Sequence, residues 1–382
     1  MRYRLTCLTP TLVGDGQKLA PIDYMVWKDQ INVLDQSRIF KLLSKGPRLE
    51  NYLTQIRKAE RLDFAAWGGF AQNYADRRVA FEHASCAQHW ERARAESLFI
   101  ATFAAGLKGP YLPASALRGA LRTGLVHSRW TEEYTKEVAA RLQGDRAPRR
   151  PAEGPESAAL GSSGQNRMRV YAAGDSSPVA GTSLKIYLVR VSTLVSRGNK
   201  LELGWKMSPR GTVDGKRPED STPIFVEMAI PGTAFEGDWE LRSFFSQPEV
   251  LKALHWRQAP DTKRIFDSAN EYAEKLLTLH RQYAETAGLV HLSSGVESLQ
   301  AKLAEIRGDG AAALVPLGWG TGLLGKSAVV DTKNDDYRKI MRQVPIYTRA
   351  IESNLPFPKT RRVVFLNNQP ASLPGWTLLQ AN

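Results

Sequence analysis

Apolar and polar side chains alternate from the first residues: Tyr3, Leu5 and Cys7 stand against Arg2, Arg4 and Thr6, the period of a strand with one face buried. A Gly/Pro-punctuated loop, LTPTLVGDGQKLAPID, leads into YMVWKDQINVLD, where Asp29-Gln30 marks a hairpin turn between two apolar runs. From Gln36 to about Ala95 the spacing becomes helical, with Leu49, Tyr52, Leu53 and Ile56 three or four residues apart. SLFIATFAA (97–105) reads as a buried strand, and GLKGPYLPASALRGALRTGLVHSRW as a turn opening into a helix. In that helix Leu117, Leu121 and Leu125 share one face, Arg118 and Arg122 lie one turn apart on another, and Ser115 is the expected N-cap. Strands are expected again in SLKIYLVRVSTLV (183–195) and STPIFVEMAI (221–230), with a long polar, basic excursion at 197–221 between them. From about Ser246 to Ala287 helices return, and the stripe Ile265, Ala269, Tyr272, Leu276 and Tyr283 predicts core packing. The closing PFPKTRRVVFLNNQPASLPGWTLLQ predicts an edge hairpin with a basic approach.

Strands at the start, middle and end, with helices between, predict an α+β protein with mainly antiparallel sheets. At 382 residues, two domains or one with large insertions are expected. Residues 141–169 are rich in Pro, Gly, Ser, Arg and Ala with few large apolar side chains, a composition that predicts a flexible basic linker. No apolar run approaches the ~20 residues that span a bilayer. MRYRLTCLTP lacks the apolar stretch of a signal peptide, and Cys7 and Cys86 cannot form a disulfide framework. A cytoplasmic protein with no membrane partner is expected.

Charge sharpens the picture. Fifty-two Lys and Arg against 39 Asp and Glu leave +13, an excess that points to a polyanionic partner such as nucleic acid. Its alternative is a generally basic, solvated surface. GTGLLGKS (320–327) matches the phosphate loop G-x-x-x-x-G-K-[ST]. Only 55 residues follow Ser327 in the chain of 382, too few for the βα units that complete an ATPase, and Pro316 interrupts the preceding apolar run. What survives is the backbone chemistry. Gly318, Gly320, Gly322 and Gly325 permit positive φ and expose consecutive N–H groups as an anion-binding concavity, and Lys326 adds a charge. The helix that follows Ser115 offers its N-terminal amides and two arginines to a phosphate in the same way.

The helix start YLPASALRGALR and the late glycine-rich loop, in this order, resemble the RAMP superfamily of CRISPR RNA-binding proteins. Within it, LTPTLVGDGQKLAPIDY, the Asp-Ser pair of VYAAGDSSP, VPLGWGTGLLGKS and FPKTRRVVFLNNQPASLPGW are similar to the Csm-type subunits that cap the crRNA 3′ end in type III-A effector complexes. Ala114 stands where the family often has Gly, and 141–169 looks like a local insertion. The resemblance implies two ferredoxin-like (RRM-like) halves. The N-terminal half would be 1–140 with a helical insertion over about 36–95. A linker, 141–178, would precede the C-terminal half, 179–382, with an insertion over about 243–310 and the Gly-rich loop at 318–327. It also implies a non-catalytic RNA-binding subunit without a cofactor. Its partners would be crRNA, other Csm subunits (above all the terminal backbone subunit) and cellular nucleases that mature the crRNA 3′ end. The expected RNA-binding residues are Ser115, Arg118, Arg122, Gly320, Gly322, Lys326, Lys359 and Arg361, on the premise that helix and loop converge in space.

Other chemistry is weighed against this. Asp23, with Asp15 eight residues before it, sits where related backbone subunits carry the Asp of metal-dependent RNA cleavage, so an endoribonuclease is one alternative; a turn-capping carboxylate is the other reading. His83, Cys86 and His89 have a zinc-like spacing, but on a helix the outer histidines point about 120° apart, and packing is the simpler expectation. Trp205 and Phe357, beside Arg197, Lys206, Lys359, Arg361 and Arg362, suit either base stacking or core anchoring. A protein–protein adaptor with incidental charge is the remaining class.

Overall fold

The computed structural model describes residues 1–58, 73–143, 148–198, 200–208, 213–353 and 355–381. Its strands are β1 Arg2–Cys7, β2 Lys18–Leu19, β3 Tyr24–Trp27, β4 Gln30–Leu34, β5 Ala75–Ala80, β6 Ile100–Ala101, β7 Ala105–Gly106, β8 Gly109–Pro110 and β9 Tyr171–Ala173. They continue as β10 Leu184–Arg197, β11 Lys200–Lys206, β12 Asp214–Gly215, β13 Ile224–Ala229, β14 Ala234–Leu241, β15 Ala312–Pro316, β16 Thr360–Leu366, β17 Gln369–Ser372 and β18 Trp376–Ala381. The α-helices are α1 Gln36–Leu43, α2 Leu49–Lys58, α3 Ser85–Glu91, α4 Ala114–His127, α5 Glu132–Leu142, α6 Glu153–Leu160, α7 Pro248–Ala253, α8 Thr262–Thr286, α9 Val290–Ile306, α10 Asp335–Arg342 and α11 Pro345–Glu352.

The fold is α+β with mainly antiparallel pairing, as the pattern predicts. One sheet runs β15-β18-β1-β14-β9 and a second β12-β11-β10-β13-β6-β2, with β16 and then β17 added beside β10. Only β13–β6 is parallel among the paired strands described. Each large sheet draws strands from both sides of residues 141–178, so that segment does not separate two sheets. Strand β1 alternates as expected, with Tyr3, Leu5 and Cys7 buried and Arg2 and Arg4 exposed. In β10 both faces are covered: Ile186 and Leu188 enter one core, Tyr187 and Val189 the other. That double burial explains why its sequence reads as a continuous apolar run rather than an alternation. Helix α8 serves both cores, Ile265 and Ala269 in one and Tyr272, Leu276 and Tyr283 in the other.

Helix α4 lies on α8. Leu117, Leu121 and Leu125 are fully buried. A Cβ on Gly124 would stand 2.8 Å from the Ala269 Cα, so the two backbones meet where only glycine fits.

Several local expectations change. The β3–β4 turn is Lys28-Asp29, with Lys28 at φ 55°, one residue earlier than the sequence suggests. Strands β5 and β11 replace parts of the expected helical and polar stretches, adding to β4 and β10; β5 has no strand period of its own, while the Leu201, Leu203, Trp205 alternation of β11 is a local signal that the surrounding charge masks. Only Ile100–Ala101 of 97–105 is strand. The described part of the expected flexible linker is packed: α6 and two 3-10 turns follow, Met168 and Val170 are buried, and Gln165 O accepts the Trp256 indole N–H at 2.8 Å. Residues 144–147 of that linker, 59–72 of the first insertion and 209–212 of the basic excursion lie outside the described residues.

Candidate nucleic-acid interface

Three segments far apart in sequence line one groove of about 580 Å³: the loop of residues 12–18, helix α4 and the glycine-rich loop. From α4 the groove takes Ala116, Gly119, Ala120 and Thr123, at i, i+3, i+4 and i+7, one face of the helix. These short side chains let a ligand approach the helix backbone closely. Lys18 and Lys326 are exposed at its walls, and neither has a carboxylate within ion-pair distance among the described residues. Among the described residues no Asp or Glu lines the groove. Nearby Asp15 turns its carboxylate to the Gln17 amide, 3.0 Å away.

The glycine-rich loop is held on several sides. Trp319 N–H donates to Leu12 O and Leu317 N–H to Gly375 O, both at 2.7 Å. The Tyr272 hydroxyl, from α8, reaches Leu324 O and Ser327 O, the latter at 2.9 Å. His127 Nδ1–H, from the last turn of α4, donates to Ala328 O at 2.6 Å; burial pushes its pKa below the ordinary value, so the ring is neutral at pH 7. Gly318, Gly320 and Gly322 take φ of 81°, 93° and 73°. Gly325 does not; it lies in a 3-10 turn. The amides of Gly320, Thr321 and Gly322 donate to no acceptor among the described residues; of the three only Thr321 lines the groove, while Gly320, which is buried, and Gly322 face the β10–β16 side of the loop.

Helix and loop therefore converge, but through a different helix face from the one expected. Arg118 donates to Met168 O at 3.1 Å, and Arg122 pairs with Glu156 of α6 at 2.6 Å. Both hold the 148–170 segment rather than line the groove. Ser115 is exposed and caps nothing; Pro113 is the N-cap, and the Ala114 N–H is taken by Asp175 Oδ1 at 2.7 Å. The neighbouring Ser176 Oγ accepts from Leu112 N at 2.9 Å. A carboxylate thus occupies the helix start that the sequence assigns to a phosphate, and its Coulomb effect opposes a second anion there. Asp175→Ala is expected to cost about 1 kcal/mol, with Asp175→Asn retaining most of it, since an amide oxygen still accepts; urea melts of the two variants measure this.

Lys359 is half-buried, its pKa lowered by burial and then by Lys206. Arg361 is buried, with Nε on His280 Nδ1 and Nη1 on two carbonyls, which removes it from the outer surface. Trp205 and Phe357 are core residues, 1% and 6% exposed, so neither stacks on a base. Sequence reading missed Lys18 and the Ala116–Gly119–Ala120–Thr123 face. The helical spacing of those small residues is a legible signal, overshadowed by the arginines.

The ATPase reading fails on topology. The loop follows β15, whose partner β18 is antiparallel, and Lys326 ends a three-residue 3-10 turn instead of opening a helix. Asp23 closes its own turn, Oδ2 accepting from Ala20 N at 2.7 Å. His83 Nδ1 pairs with Ser85 Oγ and His89 Nε2 with Asn368 Oδ1, while Cys86 is buried with its thiol pushed up to about 11. Among the described residues no group of three or more His, Cys, Asp or Glu is placed to hold a metal, and no helix is long and apolar enough to cross a membrane.

A family model described as the RAMP superfamily matches residues 4–279. Solved structures share the fold, among them the following two. A chain of a Csm–crRNA–target RNA ternary complex from a type III-A CRISPR–Cas system, seen by cryo-EM, is 18% identical with a TM-score of 0.66, over 100% of both chains. The crystal structure of T. onnurineus Csm5 is 18% identical with a TM-score of 0.63, over 98% of this chain and 99% of that one. No curated protein matches.

Proposed function

Since the chain belongs to the RAMP superfamily, we propose that it is an RNA-binding, non-catalytic subunit of a type III-A CRISPR (Csm) effector complex. It holds the 3′ part of the crRNA, abuts the terminal backbone subunit and assists maturation of the crRNA end. The observation that carries this reading is the groove shared by α4, the 12–18 loop and the glycine-rich loop, with two lysines that have no ion-pair partner and with no carboxylate in its lining among the described residues. A full-length structural counterpart within a Csm–crRNA–target RNA complex supports the class of partner. Such a groove grips phosphates and shape, and leaves sequence to guide–target pairing. The non-catalytic reading is supported by Asp23, whose carboxylate is committed to the Ala20 amide.

The Lys18→Ala/Lys326→Ala chain is expected to bind single-stranded RNA about tenfold more weakly at physiological salt. Its slope of log affinity against log salt should be shallower by about 1.4, the counterion release of two phosphate contacts. Filter binding across a salt series measures both, and an unchanged slope counts against the groove. Crosslinking in the assembled particle then asks whether this chain maps to the guide's 3′ terminus.

A further inference from the structure

Strand β15 ends the five-stranded sheet, with β18 beside it and no strand on its other side among the described residues. Every residue of β15 is buried, so backbone groups that turn away from β18 meet no water and must be paired inside the protein. The ladder fixes which groups those are. Ala381 N–H donates to Ala311 O at 3.0 Å and Leu317 N–H to Gly375 O at 2.7 Å, so the odd-numbered residues face β18. By the period of two, Ala312, Leu314 and Pro316 turn their backbone groups outward. Asn270 of α8 meets them there. Its Nδ2 donates to Ala312 O at 3.1 Å, and its Oδ1 accepts from Leu314 N–H at 2.8 Å. A side-chain amide offers a donor and an acceptor side by side, and so does for this edge what a neighbouring strand would do. Pro316, next in the outward series, has no N–H to satisfy.

These two bonds key β15 onto α8 in one register. A slip of one residue would set Asn270 against groups already bonded to β18 and leave a buried N–H and C=O without partners. The register matters because the groove wall from Pro316 to Lys326 follows directly from β15. At the far end of that wall the Tyr272 hydroxyl, from the same helix, takes Leu324 O and Ser327 O. Helix α8 therefore grips the wall at both ends, while Lys18 stands on a wall from another part of the chain. Asn270 itself is not in the groove lining. We propose that Asn270 is a positioning residue for RNA binding. By keying β15 onto α8, it sets where the Lys326 wall stands relative to Lys18 and to α4, without touching the strand. The inference rests on the groove being the RNA site.

Titration of the full chain with single-stranded oligouridine across a salt series tests it. Asn270→Leu keeps the size of the side chain and removes both bonds. It is expected to lose at least about threefold in affinity, with a slope of log affinity against log salt shallower by about 0.7, one phosphate contact. In that background Lys326→Ala should cost less than about twofold more, whereas Lys18→Ala keeps its full cost, because only the Lys326 wall has moved. Asn270→Ala leaves room for water on Ala312 O and Leu314 N–H, and is the second variant if Asn270→Leu melts early. Val138→Ala, a cavity in the buried face of α5 outside the groove lining, lowers the melting temperature and should keep wild-type affinity and slope. The inference is overturned if both Asn270 variants bind with wild-type affinity and slope, or if Val138→Ala loses as much as they do. It is overturned equally if each lysine costs as much in Asn270→Leu as in the wild type. Lysine substitutions without effect in the wild-type chain would instead sink the groove reading and this inference with it, so the two failures are told apart.

Discussion

Gly119→Glu is expected to weaken single-stranded RNA binding by about 30-fold or more while leaving the fold at least as stable. Gly119 is an exposed position within α4 on the groove face, and a Cβ added there meets no heavy atom within 4 Å. Glycine inside a helix costs roughly 0.5–1 kcal/mol relative to alanine, and glutamate is a good helix former, so the melting temperature should hold or rise. The new carboxylate would stand in a groove whose lining, among the described residues, otherwise carries only positive charge. Like charges about 5 Å apart at an effective dielectric near 20 repel by about 3 kcal/mol, and a 30-fold loss is about 2 kcal/mol, so one phosphate neighbour suffices. Gly119→Lys separates charge from bulk: it places a side chain of similar reach in the same space and should lose far less. Paired thermal melts and RNA titrations of the two variants measure this. Equal losses would assign the effect to bulk alone, and undiminished binding by Gly119→Glu would place the strand elsewhere on the surface.

Periodicity made much of the fold legible. The alternation in β1, the leucine face of α4 and the apolar stripe of α8 all face the cores as their spacing requires. What stayed hidden was set by long-range pairing. Strand β5 exists because its backbone adds to β4, and ADRRVA carries no strand period of its own, whereas in β11 Leu201, Leu203 and Trp205 do alternate with Lys200, Glu202 and Lys206, a signal masked by the charge around it. Residues 148–169 are ordered because Arg118, Arg122 and Trp256 take up their carbonyls and a carboxylate, contacts spanning 34 to 91 positions. The site was half legible for the same reason. Glycine spacing announced a loop of unusual backbone, and the helix beside it was correctly placed. Which face of that helix meets the loop depends on how α4 crosses α8 at Gly124 and Ala269, and on Asp175 arriving from 61 residues away to cap its start. Charge alone did not pick out the residues that line the groove. The arginines of α4 and Arg361 drew attention as cations, yet the fold consumes Arg118 and Arg122 as staples and sinks Arg361 beside a neutral histidine. Exposed lysines, cheap to leave solvated, are the ones that remain free at the groove.

The glycine that fixes the groove's geometry is Gly318, and Gly318→Ala is expected to be the most damaging single-methyl change in the loop. At φ 81° an alanine pays about 1 kcal/mol for the left-handed backbone alone. Its Cβ would also stand 2.1 Å from Leu12 O, 2.9 Å from Leu12 C and 3.1 Å from Val13 Cγ2, and the first two are backbone atoms that no rotamer change can move. Relief requires the 12–18 loop to part from the glycine-rich loop, which breaks the 2.7 Å bond from Trp319 N–H to Leu12 O. A lost buried backbone bond adds about 1–3 kcal/mol, so the total is about 3 kcal/mol. Gly322→Ala is the matched control: its φ of 73° carries the same conformational penalty, but its added Cβ meets nothing within 4 Å. Denaturant melts should therefore rank Gly318→Ala well below Gly322→Ala. RNA affinity should fall with Gly318→Ala even at temperatures where it is fully folded, because both walls of the groove hang on that junction. If the two variants melt together and bind alike, the contact between the two loops is not what shapes the groove, and its walls must be set by the Tyr272 and His127 anchors further along the chain.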